Sequence, residues 1–178
     1  MKKIIAVIPS RYESSRFPGK PLAMICNKPM IQHVYERVLS VKQIYDVYVA
    51  TDDKRIFDCV ETFGGKAIMT SQCNCGTDRV YQASKDIDCD IVLNIQGDEP
   101  TIKTEMIEDL ISAFNDDKVQ FATLKKRCEI SDDYFAPNTV KVITDINGDA
   151  IYFSRYAVPY NRDDRLITVS YTHLRATR

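Results

Sequence analysis

The 178-residue sequence has no excess of charge of either sign and no long apolar run. Its 24 Lys and Arg residues balance 25 Asp and Glu residues, which gives a formal net charge of -1. Because binding to a phosphate backbone needs a surplus of Lys and Arg on one face, this balance argues against nucleic acid as a partner. The first apolar run, Ile4 to Ile8, is shorter than the roughly 7–15 apolar residues of a secretory signal. It is far shorter than the roughly 18 residues of a transmembrane helix. We therefore expect a cytoplasmic protein with no membrane partner.

Histidine is scarce, and the six cysteines lack the spacing of a metal site. Cys73 and Cys75 form the only close pair, whereas a structural zinc site needs a C-x-x-C-type pair and a second pair of ligands. A chain of this size without a secretory signal predicts reduced thiols. Of the two histidines, His33 and His173, the first falls in a predicted helix, where we expect it to pack or to lie at the surface.

Strand-like and helix-like segments alternate along most of the chain. The predicted strands are 4–8, 47–50, 67–69, 91–95 and 121–124, and the predicted helices are 30–40, 54–63, 78–86 and 104–114. This alternation predicts an α/β fold with a mostly parallel sheet flanked by helices. After residue 138 the pattern changes to two strands, 139–144 and 150–153, which predict an antiparallel addition. No low-complexity linker interrupts the sequence, so we predict a single domain over residues 1–178.

The loop after the first predicted strand is rich in cations. Ligands of open α/β sheets bind at the carboxyl ends of the strands, so the loops that follow strands are the first candidates for a site. Residues 9–21 contain Arg11, Arg16 and Lys20 with two serines and a glycine, which together suit a polyphosphate. Neither GxxxxGK[ST] nor GxGxxG is present, which excludes a P-loop and a dinucleotide fingerprint. A basic surface loop explains the same residues, and both interpretations stay open at this point.

Two adjacent acids, Asp98 and Glu99, follow the predicted strand 91–95. Mg²⁺ in nucleotide enzymes takes one or two carboxylates together with phosphate oxygens, so this pair suits a metal bound to a nucleotide. The alternative is a turn that leads into the next helix. Between the two loops, the segment 76–79 forms a Gly-led helix start that ends in an arginine, which suits a base or phosphate contact. These features predict a nucleotide-dependent α/β enzyme that uses Mg²⁺ for phosphoryl or nucleotidyl transfer.

Five segments carry a resemblance to a known family: IPSRYESSRFPGKPLAMICNKPMIQHVYERV, VYVATDD, GTDR, NIQGDEP and SRYAVPYNRD. Together they resemble the 3-deoxy-manno-octulosonate (Kdo) cytidylyltransferases, or CMP-Kdo synthetases, in the right order from residue 4 to about residue 163. The resemblance implies a Rossmann-like nucleotidyltransferase fold. It also implies the reaction of CTP with Kdo to give CMP-Kdo and pyrophosphate, the sugar-activation step for lipopolysaccharide or capsule. The alternatives are a sialic-acid-type CMP-sugar synthetase, whose first loop is typically Gly-rich, and a CTP-binding but inactive fragment.

The resemblance also implies roles for individual residues. The expected nucleotide-binding residues are Arg11, Ser14, Lys20, Thr77, Arg79 and Gln96. The expected sugar-binding residues are Gln96, Arg155 and His173. Asp98 is the expected Mg²⁺ ligand, and Lys20 and Asp98 are the expected catalytic residues.

The sequence departs from the family pattern in three respects. Family members continue beyond the sugar loop, with a second acidic metal ligand and surfaces that form a homodimer, so we expect a C-terminally truncated member that retains the homodimer only if the remaining surface suffices. Residues 168–178 differ from the usual sugar loop, which predicts an atypical or foreign end. Cys75 stands where family members typically have serine.

Overall fold

The computed structural model describes the backbone of residues 2–13, 17–129, 132–160 and 168–177, and the side chains of these ranges outside 127–129, 132–133 and 168–177. Its internal contacts divide the chain into two compact units, one of residues 1–122 with 175–178 and one of residues 123–174. The expectation of a single domain stays a prediction. Among the described residues, no helix is both long and apolar enough to cross a bilayer.

The first unit is an α/β layer structure. Its elements, in chain order, are β1 (Ile4–Ser10), a 3-10 helix (Lys20–Leu22), β2 (Met24–Ile25), β3 (Lys28–Pro29), α1 (Met30–Leu39), β4 (Ile44–Thr51), α2 (Lys54–Thr62), β5 (Ala67–Met69), α3 (Gly76–Ser84), β6 (Ile91–Asn94), α4 (Thr104–Ser112) and a second 3-10 helix (Ala113–Asn115). The strands are ordered β5-β4-β1-β6, and each neighbouring pair is parallel. The predicted mostly parallel sheet is therefore confirmed.

Strand β1 lies between β4 and β6, and its residues Ile4 to Ile8 are buried. Successive side chains of a strand point to opposite faces, so a central parallel strand must be apolar on both. Ile5 and Val7 pack with Val80 and Ala83 of α3 on one face. On the helices α1 and α2, the apolar residues recur at helical spacing and are buried, as in Val34 of α1. The spacing of apolar residues in these elements thus matches the faces that are buried.

The carboxyl ends of β1, β4 and β6 meet at one edge of the sheet. Ser10 pairs in register with Thr51, and Val7 pairs with Asn94. The loops that follow these three strands therefore emerge beside one another. The last residues of the final strand, 175–177, pair antiparallel with β6 on its outer side.

The second unit is built around antiparallel strands. Its elements are β7 (Phe121–Glu129), α5 (Asp132–Phe135), β8 (Lys141–Thr144), β9 (Ala150–Ser154) and β10 (Thr168–Thr177), of which β7 begins and β10 ends in the first unit. Strands β8 and β9 form a hairpin, which confirms the antiparallel addition predicted after residue 138. The Asp145 carboxylate accepts hydrogen bonds from the N–H groups of Asn147 and Asp149 at 2.9 Å each, and these backbone bonds hold the pKa of Asp145 below its usual value.

A buried lysine holds the base of this hairpin. Lys141 is fully buried, and its ammonium donates to the carbonyl oxygens of Ala136, Thr139 and Arg155 at 2.9, 2.8 and 2.9 Å. A buried cation is tolerated when such hydrogen bonds replace its hydration shell. Lys141 therefore ties the segment before β8 to the residue after β9.

Several elements differ from the sequence predictions. The hairpin β2–β3, helix α5 and strand β10 were not predicted, and β7 extends to Glu129 instead of ending at residue 124. Strand β10 has no continuous apolar run, because its sequence TVSYTHLRAT mixes polar and apolar residues. Helix α3 begins at Gly76, two residues earlier than predicted, because the Cys75 sulfur caps it by accepting from the Asp78 N–H at 3.4 Å. The prediction of an atypical end over residues 168–178 stays a prediction.

Candidate nucleotide-binding site

Two adjoining clefts lie at the carboxyl edge of the parallel sheet. One has a volume of about 380 Å³ and the other about 300 Å³. Both are lined by the same four residues from the ends of β1 and β6: Pro9, Ser10, Arg11 and Gln96. The first cleft is completed by Phe17, Lys20, Pro21, Gly97 and Asp98, and the second by Cys73, Asn74, Cys75, Gly76 and Arg79. The three loops that the sequence singled out therefore surround one connected site.

Tyr12 anchors the cationic loop that forms one wall of the first cleft. The Arg55 guanidinium lies 3.3 Å from the centre of the Tyr12 ring, and the Gly19 N–H donates to the Tyr12 carbonyl oxygen at 2.8 Å. Gly19 has a φ of +71°, and a Cβ atom there would lie 3.1 Å from the Tyr12 ring. Only glycine combines that backbone angle with that close approach. The loop is thereby closed just before Lys20.

Arg55 is itself held by the residue that caps α2. Its guanidinium pairs with the Asp53 carboxylate at 2.6 Å, and the Asp53 side chain also accepts from the Arg55 N–H at 2.9 Å. The side-chain bond from Arg55 is the main reason that the pKa of Asp53 is lowered. Asp53 thus links the N-terminus of α2 to the stack on Tyr12.

Lys20 and Asp98 face each other in the first cleft. The Lys20 ammonium lies 2.8 Å from the Asp98 carboxylate, and the two side chains are 35% and 53% exposed. An ion pair this exposed contributes about 0–1 kcal/mol, because water screens it. A phosphate can therefore take the lysine, and a cation the carboxylate, at small cost to the fold.

Arg79 forms the buried wall of the second cleft. Its side chain is 5% exposed, and its guanidinium donates to Thr70 Oγ1 at 2.6 Å and to the Asp52 carboxylate at 2.7 Å. These contacts fix the start of α3 against the loop after β4. Arg79 lines the second cleft, and its expected nucleotide contact stays a prediction. The structure holds it through Thr70 and Asp52, which the sequence analysis did not connect to it.

The end of β6 contributes Gln96 and Gly97. Gln96 lines both clefts, and its side-chain amide donates to Asn94 Oδ1 at 3.2 Å. Gly97 packs so tightly against β1 that a Cβ atom would lie 2.8 Å from Ser10 Oγ and 3.2 Å from the Pro9 carbonyl oxygen. The glycine of the QGDEP segment therefore allows β6 and β1 to end close together.

The described thiols are free, and two of them, Cys73 and Cys75, line the second cleft. Burial raises the pKa of the Cys59 and Cys89 thiols. Within the described residues, no group of three or more His, Cys, Asp and Glu side chains could hold a metal by itself. A metal in the first cleft would therefore need ligands from a bound nucleotide.

The other predicted site residues do not all join the clefts. Thr77 is exposed on the first turn of α3 and lines neither cleft. Arg155 belongs to the second unit, where its guanidinium donates to the Pro137 carbonyl oxygen at 2.9 Å. Ser14 and the side chain of His173 lie outside the described part of the chain. His33, expected to pack, lies with Nε2 2.7 Å from the Ile25 carbonyl oxygen.

Comparison with known proteins identifies the family. The sequence matches the family model described as Cytidylyltransferase over residues 5–177. The chain belongs to the cytidylyltransferase family. A structure described as CMP:2-keto-3-deoxy-manno-octonic acid synthetase complexed with CTP superposes with a TM-score of 0.92 and 44% identity, covering 99% of this chain and 74% of that one. The Rossmann-like nucleotidyltransferase fold implied by the sequence resemblance is confirmed.

The curated relatives point to the same branch of the cytidylyltransferases. The chain is 54% identical over 168 residues to the 3-deoxy-manno-octulosonate cytidylyltransferase of Thermodesulfovibrio yellowstonii, covering 89% of this chain and 66% of the relative. It is 49% identical over 178 residues to the enzyme of that name from Syntrophus aciditrophicus, covering 97% of this chain and 72% of the relative. The chain thus spans about two thirds of the length of these relatives, and the resemblance seen in the sequence is confirmed.

Proposed function

We propose that this cytidylyltransferase transfers CMP from CTP to Kdo and releases pyrophosphate. The observation that carries the proposal is the first cleft, where Arg11, Lys20, Gln96 and Asp98 converge at the carboxyl ends of β1 and β6. The names of the relatives and the CTP complex of the structural neighbour support CTP and Kdo as the substrates. The product would be an activated sugar for lipopolysaccharide or capsule.

The chemistry requires charge stabilisation and no enzyme nucleophile. The anomeric hydroxyl of Kdo attacks the α-phosphorus of CTP, its proton is lost, and the bond from the α-phosphorus to the bridging oxygen of pyrophosphate breaks. Negative charge grows on the phosphate oxygens during this step. Lys20 and Arg11 supply positive charge at the first cleft, and cations positioned in advance stabilise such a transition state. Ser14 and Thr77 stay predicted nucleotide contacts.

Mg²⁺ fits this site when it arrives with the nucleotide. Asp98 offers one half-exposed carboxylate within the first cleft, and Glu99 follows it directly. Mg²⁺ characteristically binds one or two carboxylates and completes its shell with phosphate oxygens and water. Asp98 would hold the ion, which would neutralise phosphate charge in the reaction. The donor set thus suits a nucleotide-bound metal and not a preformed metal centre.

Recognition of the sugar rests on Gln96, Arg155 and His173 as proposed contacts. Gln96 lines both clefts, which supports a contact with a nucleotide that spans them. Arg155, as a guanidinium, suits the carboxylate of Kdo. We further propose a homodimer, as the family resemblance implies.

The test is pyrophosphate release by the chain with CTP, Mg²⁺ and Kdo, with N-acetylneuraminate as the control acceptor. We expect release with Kdo only. Asp98→Asn is expected to lower kcat by about 100-fold or more, because the metal loses its carboxylate. Asp109→Asn, an exposed carboxylate on α4 that lines neither cleft, is the matched control and should leave kcat unchanged.

The outcomes separate the alternatives. Release with N-acetylneuraminate only would make the chain a sialic-acid-type synthetase. Thermal stabilisation by CTP without release for either acceptor would show a nucleotide-binding chain that does not complete transfer. Full activity of Asp98→Asn at saturating Mg²⁺ would refute the role proposed for Asp98.

A further inference from the structure

The hydroxyl of Ser10 is buried without a hydrogen-bond partner. Ser10 is the last residue of β1 and is 4% exposed. Over the described ranges, its Oγ is the one buried side-chain polar atom that lacks a partner. Nearby polar groups are satisfied: Thr51 Oγ1 accepts from the Asp53 N–H at 3.2 Å, and Asn94 Oδ1 accepts from Gln96. Because a buried unpaired hydroxyl costs free energy, its presence here requires an explanation.

Gly97 encloses this hydroxyl and offers it no hydrogen bond. A Cβ atom at Gly97 would lie 2.8 Å from Ser10 Oγ, so any other residue there would force the hydroxyl or the neighbouring backbone to shift. The end of β6 thus leaves space for the hydroxyl that any other residue would fill. The two loop ends thus leave room for a polar atom that no described protein group bonds.

Ser10 also lies where the two clefts meet. It lines both of them, with Lys20 and Asp98 along the first and Cys75 and Arg79 along the second. Under the proposed function, a nucleotide with its phosphates in the first cleft and its nucleoside in the second would pass Ser10 with its sugar or base. A serine hydroxyl can donate to a base carbonyl or a ribose oxygen and can accept from an amine, and rotation about χ1 gives its oxygen three staggered positions.

We infer that Ser10 is a nucleotide-binding residue whose hydroxyl completes its hydrogen bond with the nucleoside part of CTP. This inference rests on the proposed function and assigns a contact within the proposed site. A neutral hydroxyl can hydrogen-bond the nucleoside, whereas the cations Arg11 and Lys20 in the first cleft would bind the phosphates. The hydroxyl, which no described protein group bonds, then gains a partner on binding.

The inference predicts effects of opposite sign on stability and on binding. Ser10→Ala removes an unsatisfied hydroxyl, so the melting temperature of the free protein should stay the same or rise. The same change should weaken CTP·Mg²⁺ binding by about three- to tenfold, because one neutral hydrogen bond is lost. A hydroxyl that only serves the fold, through a protein group or a trapped water, would lower the melting temperature when removed.

The experiment measures the melting temperature and, by titration calorimetry, the affinities of the whole chain for CTP·Mg²⁺, CMP and inorganic tripolyphosphate. Ser10→Ala should weaken CTP and CMP by similar factors and leave tripolyphosphate unchanged. Ser84→Ala is the matched control, because its hydroxyl donates to the Val80 carbonyl oxygen at 2.9 Å and it lines neither cleft. That control should bind all three ligands like the wild type. If Ser10→Ala does not fold, Ser10→Cys replaces the hydroxyl with a weakly bonding thiol, and the same measurements decide.

Three results would overturn the inference. Unchanged CTP and CMP affinity in Ser10→Ala would show that the hydroxyl does not contact the nucleotide. Equal weakening of tripolyphosphate would place the contact on the phosphates. A folded wild type that fails to bind CTP would refute the proposed function itself, which is distinguishable because the failure appears without any substitution.

Discussion

The buried pair of Arg79 and Asp52 should be coupled far more strongly than an exposed pair of the same length. The two atoms lie 2.7 Å apart, and the side chains are 5% and 28% exposed. The matched exposed pair is Lys54 and Asp58 on α2, also 2.7 Å apart but with side chains 78% and 53% exposed. The distances agree, so the two pairs differ in burial, in the cation and in the hydrogen bond that Arg79 also donates to Thr70.

The structure sets the expected magnitudes. Asp52→Asn leaves the Arg79 guanidinium buried with a weaker partner. Breaking a buried pair costs about 3–5 kcal/mol, and we expect about 2–3 kcal/mol here because water reaches part of Asp52. For a chain of this size, that loss lowers the melting temperature by about 4–12 °C. Lys54 and Asp58, spaced four residues apart on a helix surface, should be coupled by only about 0.3–0.5 kcal/mol.

The assay is a double-mutant cycle for each pair, from urea unfolding followed by circular dichroism. Arg79→Met and Asp52→Asn form one cycle, and Lys54→Met and Asp58→Asn form the other. Amide exchange within α3 reports the stability of the first unit directly. Raising the salt to 1 M should abolish the coupling of the exposed pair and leave most of that of the buried pair, since salt screens exposed charges more strongly.

Equal coupling energies in the two cycles would refute this reasoning. So would an Asp52→Asn variant that loses less than about 1 kcal/mol of the free energy of unfolding, because the buried guanidinium would then be satisfied without its carboxylate.

Two further predictions concern the cap of α2 and the buried lysine. Asp53→Ala should cost about 1 kcal/mol at pH 7, because Asp53 caps α2. Arg55 lowers the folded-state pKa of Asp53. The carboxylate therefore stabilises the fold above its unfolded pKa of about 3.9, and this contribution is lost as the pH falls through the folded value. Urea unfolding should show the difference in free energy of unfolding between wild type and variant shrinking from pH 7 to pH 3, and a constant difference would contradict the charge effect. Lys141→Met should lower the free energy of unfolding by about 3 kcal/mol, because three backbone carbonyls lose a charged donor. Amide exchange in β8 and β9 should accelerate. Unchanged exchange there would show that the ammonium is dispensable.

The sequence predicted the central architecture because burial leaves a local pattern. The apolar run of β1 and the helical spacing of α1 indicate which faces are covered, and the alternation of strands and helices predicted parallel pairing from residues close together in the chain. The position of Arg11, Lys20 and Asp98 at one cleft followed from the same pattern, since each comes after a buried strand; their roles stay predictions. Strand β10 was not predicted, because its mixed sequence has no continuous apolar run that would indicate a buried strand.

Tertiary structure alone decided how the site is held together. Arg79 pairs with Asp52, 27 residues away, and Gly97, in the loop after β6, packs against the hydroxyl of Ser10. Local pattern carries no information on such pairs, because hydrogen bonds and close contacts depend on which segments the folded sheet brings side by side. The sequence by itself determined that cations and a carboxylate follow the buried strands. The parallel register determined that they meet in one cleft, because it aligns the ends of β1, β4 and β6 at a common edge.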